Sequence, residues 1–159
     1  MVTNREPRLL VDSTAGRLAR WLRILGFDTE YVAASEPSRL VRLSRQSGRR
    51  IVTRSERLAR RLGPQAIHLA SEHLPEQLRQ VIGQTGCWKR RLFSRCNICN
   101  VALIEIPKEH LAGRIPVYVY NHHDRFSACP VCGRYYWQGT HYQYMLEAIE
   151  RALEGKNDG

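Results

Sequence analysis

Residues 9–26 read Leu-Leu-Val-Asp-Ser-Thr-Ala-Gly-Arg-Leu-Ala-Arg-Trp-Leu-Arg-Ile-Leu-Gly, a short apolar run followed by a longer periodic one. The first run predicts a buried strand that ends in a carboxylate, Asp12. The second predicts a helix over residues 14–25, because its apolar side chains recur on one face about 100° wide. Gly26 follows in the position where helices commonly end. The stretch therefore predicts a strand and a helix with an acid at their junction.

The same alternation returns three more times along the chain. Further strands are predicted at 29–32, 51–53 and 66–69, and further helices at 35–48 (with Ser35 as its cap), 55–62 and 75–83. Repeated strand–helix units are typical of a parallel sheet covered by helices. We therefore expect an α/β domain with a four-stranded parallel sheet over residues 1–88.

Two cysteine pairs follow, Cys96-Asn-Ile-Cys99 and Cys129-Pro-Val-Cys132, separated by 29 residues. Four thiolates at this spacing fit a closed tetrahedral zinc site, and two disulfides are the alternative. We expect a zinc ribbon over residues 92–142, with strands at 101–106, 117–120 and 135–137. A C-terminal helix and a frayed tail are expected over 143–159. The fifth cysteine, Cys87, has no partner by spacing.

The chain is strongly basic, with 25 Lys and Arg against 15 Asp and Glu and a net charge of +10. This balance favours a polyanionic partner, and arginine suits contact with phosphate. Arginine rows on the predicted helices, beginning with Arg17, Arg20 and Arg23, are either such contacts or ordinary solvated faces. The sequence contains no apolar run of membrane-spanning length and no signal-peptide pattern. A cytoplasmic protein without a membrane partner is therefore expected.

The carboxyl ends of parallel strands are where ligands bind in open α/β sheets. Asp12 and the segment Thr53-Arg54-Ser55-Glu56 are predicted to lie at that edge. A carboxylate beside arginines suits hydrolysis of a phosphodiester with a bound Mg²⁺ or Mn²⁺ ion. The alternative for Asp12 is a carboxylate that caps the following helix.

Four segments of the chain resemble the Mut-seven C-terminal RNase-domain family. They are Leu10–Asp28, Arg50–Leu58, Phe93–Asn100 and Cys129–His141, and the resemblance covers residues 8–146. It implies a PIN-like nuclease core with an appended zinc ribbon, RNA as substrate, and an acidic site for a divalent metal. The cysteines at 96, 99, 129 and 132 correspond to the ligands of the ribbon.

The resemblance also implies site residues: Asp12 as the first metal-binding acid, Asp28 as the acid that closes the first motif, although Asp28 has a structural alternative, and Arg17, Arg20 and Arg23 as basic positions. With Glu56 from the predicted strand edge, Asp12 and Asp28 are the candidate catalytic acids. With Arg54 and Arg57 from the same segment, the three helix arginines are the candidate RNA contacts. The family pattern has an aspartate where this chain has Ser55, so the acidic site is either rebuilt around Glu56 or partly lost.

Two functions therefore stay open. The first is a Mg²⁺- or Mn²⁺-dependent ribonuclease. The second is a catalytically degenerate module that binds structured RNA or a ribonucleoprotein. His141 either contacts RNA or forms a hydrogen bond within the ribbon.

Overall fold

The computed structural model describes residues 6–33, 36–86 and 91–154. The predicted cap Ser35, the thiol Cys87 and the tail 155–159 lie outside these ranges. The chain forms two compact units, Met1–Asn100 and Val101–Gly159. The predicted limits of independent domains at residues 88, 92 and 142 stay a prediction. Within the described ranges, none of the helices has both the length and the apolar character that crossing a membrane requires.

The first unit contains the predicted parallel sheet. Its strands are β1 (Arg8–Asp12), β2 (Asp28–Val32), β3 (Arg50–Thr53) and β4 (Ala66–His68), in the order β2-β1-β3-β4. Leu9, Leu10 and Val11 of β1 are fully buried, as a central strand covered on both faces requires. The α/β fold class and the four-stranded parallel sheet are thus confirmed.

Helices cover both faces of this sheet. They are α1 (Gly16–Ile24), α2 (Pro37–Ser47), α3 (Glu56–Leu62) and α4 (Leu74–Thr85). Leu40 and Val41 of α2 and Leu58 of α3 share one apolar cluster with Leu10 and Ile51 of the sheet. Across the sheet, the step from β1 to β2 runs in one direction, and the steps from β2 to β3 and from β3 to β4 run in the other. Because these crossovers are right-handed, α1 lies on the face of the sheet opposite to α2 and α3. There α1 packs against α4.

The second unit is built on a small antiparallel sheet. Its strands are β5 (Ile104–Ile106), β6 (Phe126–Ala128) and β7 (Tyr135–Tyr136), and its helices are α5 (Val117–His122) and α6 (Thr140–Glu154). The predicted strand at 101–106 is shorter than expected. The aromatic strand is present at 135–136 and the C-terminal helix begins at residue 140.

The strand predicted at residues 117–120 is wrong, because Val117–His122 is helical. Alternating valine and tyrosine favours a strand by propensity, but side chains four residues apart meet only on a helix. The ring of Tyr118 stacks on His122 with centroids 4.0 Å apart. The ammonium of Lys108 lies 4.9 Å from the centroid of the Tyr120 ring. These contacts override the local preference for a strand.

Candidate functional site

Asp12 ends β1 with its side chain 5 % exposed, at the carboxyl edge of the sheet. Its Oδ1 accepts hydrogen bonds from the backbone amide of Thr14 at 3.0 Å and from the Thr14 hydroxyl. Its Oδ2 accepts from the Thr53 hydroxyl at 2.5 Å. Asp12 caps the 3-10 turn Ser13–Ala15, which is the capping alternative considered from the sequence. Both carboxylate oxygens therefore already have protein donors.

The two hydroxyls carry this network to the turn after β3. Thr14 Oγ1 accepts from the Arg54 amide at 2.9 Å, and Thr53 Oγ1 accepts from the Ser55 amide at 3.0 Å. Sequence reasoning placed Thr53 at this edge but assigned no role to its hydroxyl or to that of Thr14. Their signal was position, since Thr53 ends a predicted strand and Thr14 begins a predicted helix, where hydroxyls can bind free backbone amides. Together with Asp12 they connect the turns that follow the two central strands.

Ser55 and Glu56 do not complete an acidic site around Asp12. Ser55 Oγ accepts from the Leu58 amide at 3.2 Å and caps α3. The side chain of Glu56 is exposed and forms an ion pair with Arg60 at 2.5 Å, one turn along the helix. Among the described residues, the only group of three or more His, Cys, Asp or Glu side chains placed to hold a metal ion is the four-cysteine set. Mg²⁺ is usually bound by one or two carboxylates and keeps several waters, so a Mg²⁺ or Mn²⁺ site at Asp12 stays a prediction.

Asp28 lies at the opposite edge of the sheet. It begins β2 and pairs in register with Arg8, whereas Asp12 pairs with Val32. Along the strands, the position of Asp28 is four residues from that of Asp12, a distance of about 13 Å. The structure therefore does not bring Asp28 together with Asp12.

Asp28 is held by charged and polar donors. Its Oδ1 accepts from Arg49 Nη1 at 2.8 Å and from Asn100 Nδ2 at 2.8 Å. Burial acts to raise the pKa of Asp28, but the hydrogen bonds from Arg49 and Asn100 and the charges of Arg49 and Arg95 lower it overall. The buried Arg49 also reaches Glu30 at 3.2 Å. This arrangement is a partly buried ion-pair cluster that fixes the start of β2.

The arginine rows divide between the two faces of the sheet. On α1, Arg17 and Arg20 are exposed, but Arg23 is half-buried and donates through Nε to the Thr29 carbonyl at 2.8 Å. Burial lowers the pKa of Arg23, while the charges of Cys96 and Cys99 act to raise it. Arg23 is therefore an internal contact, and only two residues of the predicted α1 row face solvent.

The opposite face carries the larger group of exposed arginines, which we call the α2–α3 arginine face. It consists of Arg39, Arg42, Arg45, Arg57, Arg60 and Arg61. Arg54, in the turn before α3, is also exposed and lies 3.5 Å from Glu72. The first 100 residues carry 19 Lys and Arg against 8 Asp and Glu, whereas the last 59 carry 6 against 7. All of the net positive charge thus belongs to the α/β unit.

The four predicted metal ligands come together. The Sγ atoms of Cys96, Cys99, Cys129 and Cys132 all lie within 4.8 Å of one another, and none of the four is joined in a disulfide. A tetrahedral zinc ion with Zn–S distances of about 2.3 Å holds its sulfurs about 3.8 Å apart. The Cys99 amide donates to Cys96 Sγ and the Cys132 amide to Cys129 Sγ, both at 3.4 Å. The cluster is close enough to bind one metal ion.

Both cysteine turns have the same backbone geometry. The amide of Asn100 donates to the Cys96 carbonyl at 2.9 Å, and that of Gly133 donates to the Cys129 carbonyl at 3.0 Å. Each donor has a positive φ, 62° at Asn100 and 74° at Gly133. His141 is exposed in the first turn of α6.

No curated protein and no solved structure matches this chain. The model of one family, described as the Mut7-C RNAse domain, matches residues 7–149. The matched region includes the strand-end carboxylate, both arginine-bearing faces and all four cysteines. Since this region is nearly the whole chain, the protein belongs to the Mut7-C RNAse domain family.

Proposed function

We propose that this protein binds RNA through the α2–α3 arginine face. The observation that carries the proposal is the concentration of exposed guanidinium groups on one side of the sheet. The only Asp or Glu within α2 and α3 is Glu56, already paired with Arg60. Family membership points to RNA as the polyanion. Guanidinium groups on helix surfaces contact the phosphate backbone and do not read base sequence, so binding is expected to be largely independent of sequence.

Salt titration of RNA binding tests this proposal. Each phosphate contact releases counterions, so the logarithm of the RNA-binding constant falls as the logarithm of the salt concentration rises. Removing two contacts is expected to make this slope shallower by about two. We expect this result for Arg42→Ala with Arg57→Ala, measured by fluorescence anisotropy with a labelled RNA hairpin. Arg17→Ala with Arg20→Ala removes the same charge from the opposite face and is the matched control. Equal losses from both faces, or no RNA binding by the wild-type protein, would contradict the proposal.

A second candidate is ribonuclease activity, which the sequence predicts with Mg²⁺ or Mn²⁺. It is favoured by Asp12 at the carboxyl end of a central strand in a chain of an RNAse-domain family. Against it, both oxygens of Asp12 accept hydrogen bonds from Thr14 or Thr53, and Glu56 is paired on the surface of α3. We therefore rank binding without cleavage first.

Incubation with RNA in Mg²⁺ or Mn²⁺ separates the two functions. We expect wild-type protein to bind RNA without cleaving it. Ser55→Asp should fold normally, because aspartate caps a helix as well as serine does. Gain of cleavage in Ser55→Asp would mark a nuclease site that this chain has lost at that position. Cleavage by the wild type that Asp12→Asn abolishes would establish the ribonuclease instead.

We further propose that the four cysteines hold a structural zinc ion. Four thiolates are a typical closed zinc site with no open position for a substrate, so the ion would supply stability only. Metal analysis of protein purified without added zinc is expected to give one zinc per chain. A cytoplasmic location and a ribonucleoprotein partner stay predictions that agree with RNA binding.

A further inference from the structure

The first cysteine turn, residues 96–100, is attached to the edge of the parallel sheet by the side chain of Asn100. Its Nδ2 donates to Asp28 Oδ1 at 2.8 Å, and its Oδ1 accepts from the Thr29 amide at 2.9 Å. Its backbone amide closes the turn on Cys96. One residue therefore contacts β2 with its side chain and shapes the metal-binding turn with its backbone.

Two arginines strengthen the same attachment. Arg23 of α1 donates through Nη1 to the carbonyls of Asn97 and Ile98, at 3.2 and 3.0 Å. Arg95 donates to the Asn100 carbonyl at 2.7 Å and to the Gly26 carbonyl at 3.3 Å. The first cysteine turn is thus bonded to α1, to Gly26 and to the start of β2.

The second cysteine turn, residues 129–133, shows what Asn100 adds. Gly133 takes the matching left-handed position without strain and has open space around it. A residue with a side chain pays about 1 kcal/mol for that conformation. At Asn100 two side-chain hydrogen bonds, which glycine could not form, offset this conformational free energy.

We propose that Asn100 is a positioning residue for the metal site, with Asp28 as its anchor. Asn100 presets the first cysteine turn, and metal binding in return stabilises the start of β2, because coupling between two sites is reciprocal. The proposal rests on metal binding by the four cysteines and is independent of RNA binding. It gives Asp28 a role that does not involve a reacting phosphate.

Metal affinity of Asn100→Gly tests the positioning role, with Co²⁺ as the spectroscopic probe. Glycine keeps the left-handed backbone and removes both side-chain bonds. Loss of a residue that orients metal ligands typically weakens binding at least tenfold, and we expect about that change. Gly133→Asn makes the reverse exchange in the second turn, where Gly133 has no side chain to bond to the sheet. It should change the Co²⁺ affinity less than about threefold. Equal affinities of Asn100→Gly and wild type would overturn the proposal.

Hydrogen exchange at the Thr29 amide tests the coupling in the wild-type protein. Removing the metal with a chelator should speed exchange of this amide at least about tenfold and leave Val52, in the sheet centre, nearly unchanged. Unchanged Thr29 protection after metal removal would overturn the proposal. If Asn100→Gly does not fold, Asn100→Asp keeps the acceptor for Thr29 and loses the donor to Asp28, and weaker Co²⁺ binding is again expected. A wild type without a Co²⁺ spectrum would overturn both the zinc assignment and this proposal, whatever the RNA result.

Discussion

Each end of the parallel sheet holds a carboxylate, and the two carboxylates have different hydrogen-bond partners. At the carboxyl end, the described hydrogen bonds of Asp12 come from the Thr14 and Thr53 hydroxyls and one backbone amide. At the amino end, Asp28 receives a guanidinium from the buried Arg49 and an amide from Asn100. Neutral donors surround the first acid, whereas the guanidinium groups of Arg49 and, at 3.5 Å, Arg8 lie against the second.

This difference separates two uses of an acid. At the amino end the carboxylate compensates a buried cation, and breaking such a pair is costly because the remaining charge stays buried. At the carboxyl end the side-chain donors are hydroxyls, whose orientation can change, and each such bond to a carboxylate contributes about 1.5–3 kcal/mol, less than the roughly 3–5 kcal/mol lost when a buried ion pair is broken. The amino end is therefore a structural clamp. At the carboxyl end, exchanging the hydrogen-bond partners of Asp12 for other ligands would reduce the stability of the fold less than breaking the Asp28 pair would.

The largest expected effect is at Asp28. Asp28→Ala leaves Arg49 buried with Glu30 as its remaining anionic partner among the described residues, and we expect a loss of about 3 kcal/mol in the free energy of unfolding. Denaturant titration measures this loss. Glu30→Ala removes the more exposed partner of the same guanidinium and should cost less than about 1 kcal/mol. Equal losses from the two variants would show that the buried contact is not the dominant one.

Asp12→Ala should have the next largest effect. It leaves the Thr14 and Thr53 hydroxyls and one amide without their acceptor, and we expect a loss of about 2 kcal/mol. Thr53→Val removes one of these donors at nearly constant shape. A double-mutant cycle between Asp12→Ala and Thr53→Val should give a coupling energy of about 1 kcal/mol. A coupling near zero would mean that the short contact between the two side chains does not support the fold.

Much of this comparison was within reach of the sequence. The strand predicted at 29–32 begins just after Asp28, which is a signal for the amino end of a strand, although the family resemblance grouped this acid with Asp12 as a candidate catalytic residue. The capping alternative for Asp12 was also readable from its position before a helix. The cysteine spacing predicted the cluster of four sulfurs.

The partners of Asp28 were not within reach. Arg49 lies 21 residues away along the chain and Asn100 lies 72 residues away, and local patterns carry no signal for such pairs. The helices that share a face of the sheet follow from the strand order, which the sequence left open. At residues 117–120 the local pattern was misleading, because contacts such as that of Tyr118 with His122 favoured a helix.

The smallest effect is the acid dependence of stability, and it distinguishes the two ends most directly. The pKa of Asp28 is lower in the folded protein than its ordinary value of 3.8. Its contribution to stability is therefore complete above that value and is lost as the pH falls through the lower, folded-state pKa. Wild-type protein should lose stability more steeply than Asp28→Asn as the pH falls below 3.8.

Urea unfolding of metal-free protein between pH 5 and pH 2.5 measures this difference and excludes the separate effect of metal release by acid. Glu109→Gln removes one exposed carboxylate and is the matched control. Parallel curves for wild type and Asp28→Asn would mean that Arg49 and Asn100 stabilise the carboxyl and carboxylate forms of Asp28 equally. The contribution of Asp28 to stability would then come from packing and not from its charge, and the two ends of the sheet would not differ in electrostatics.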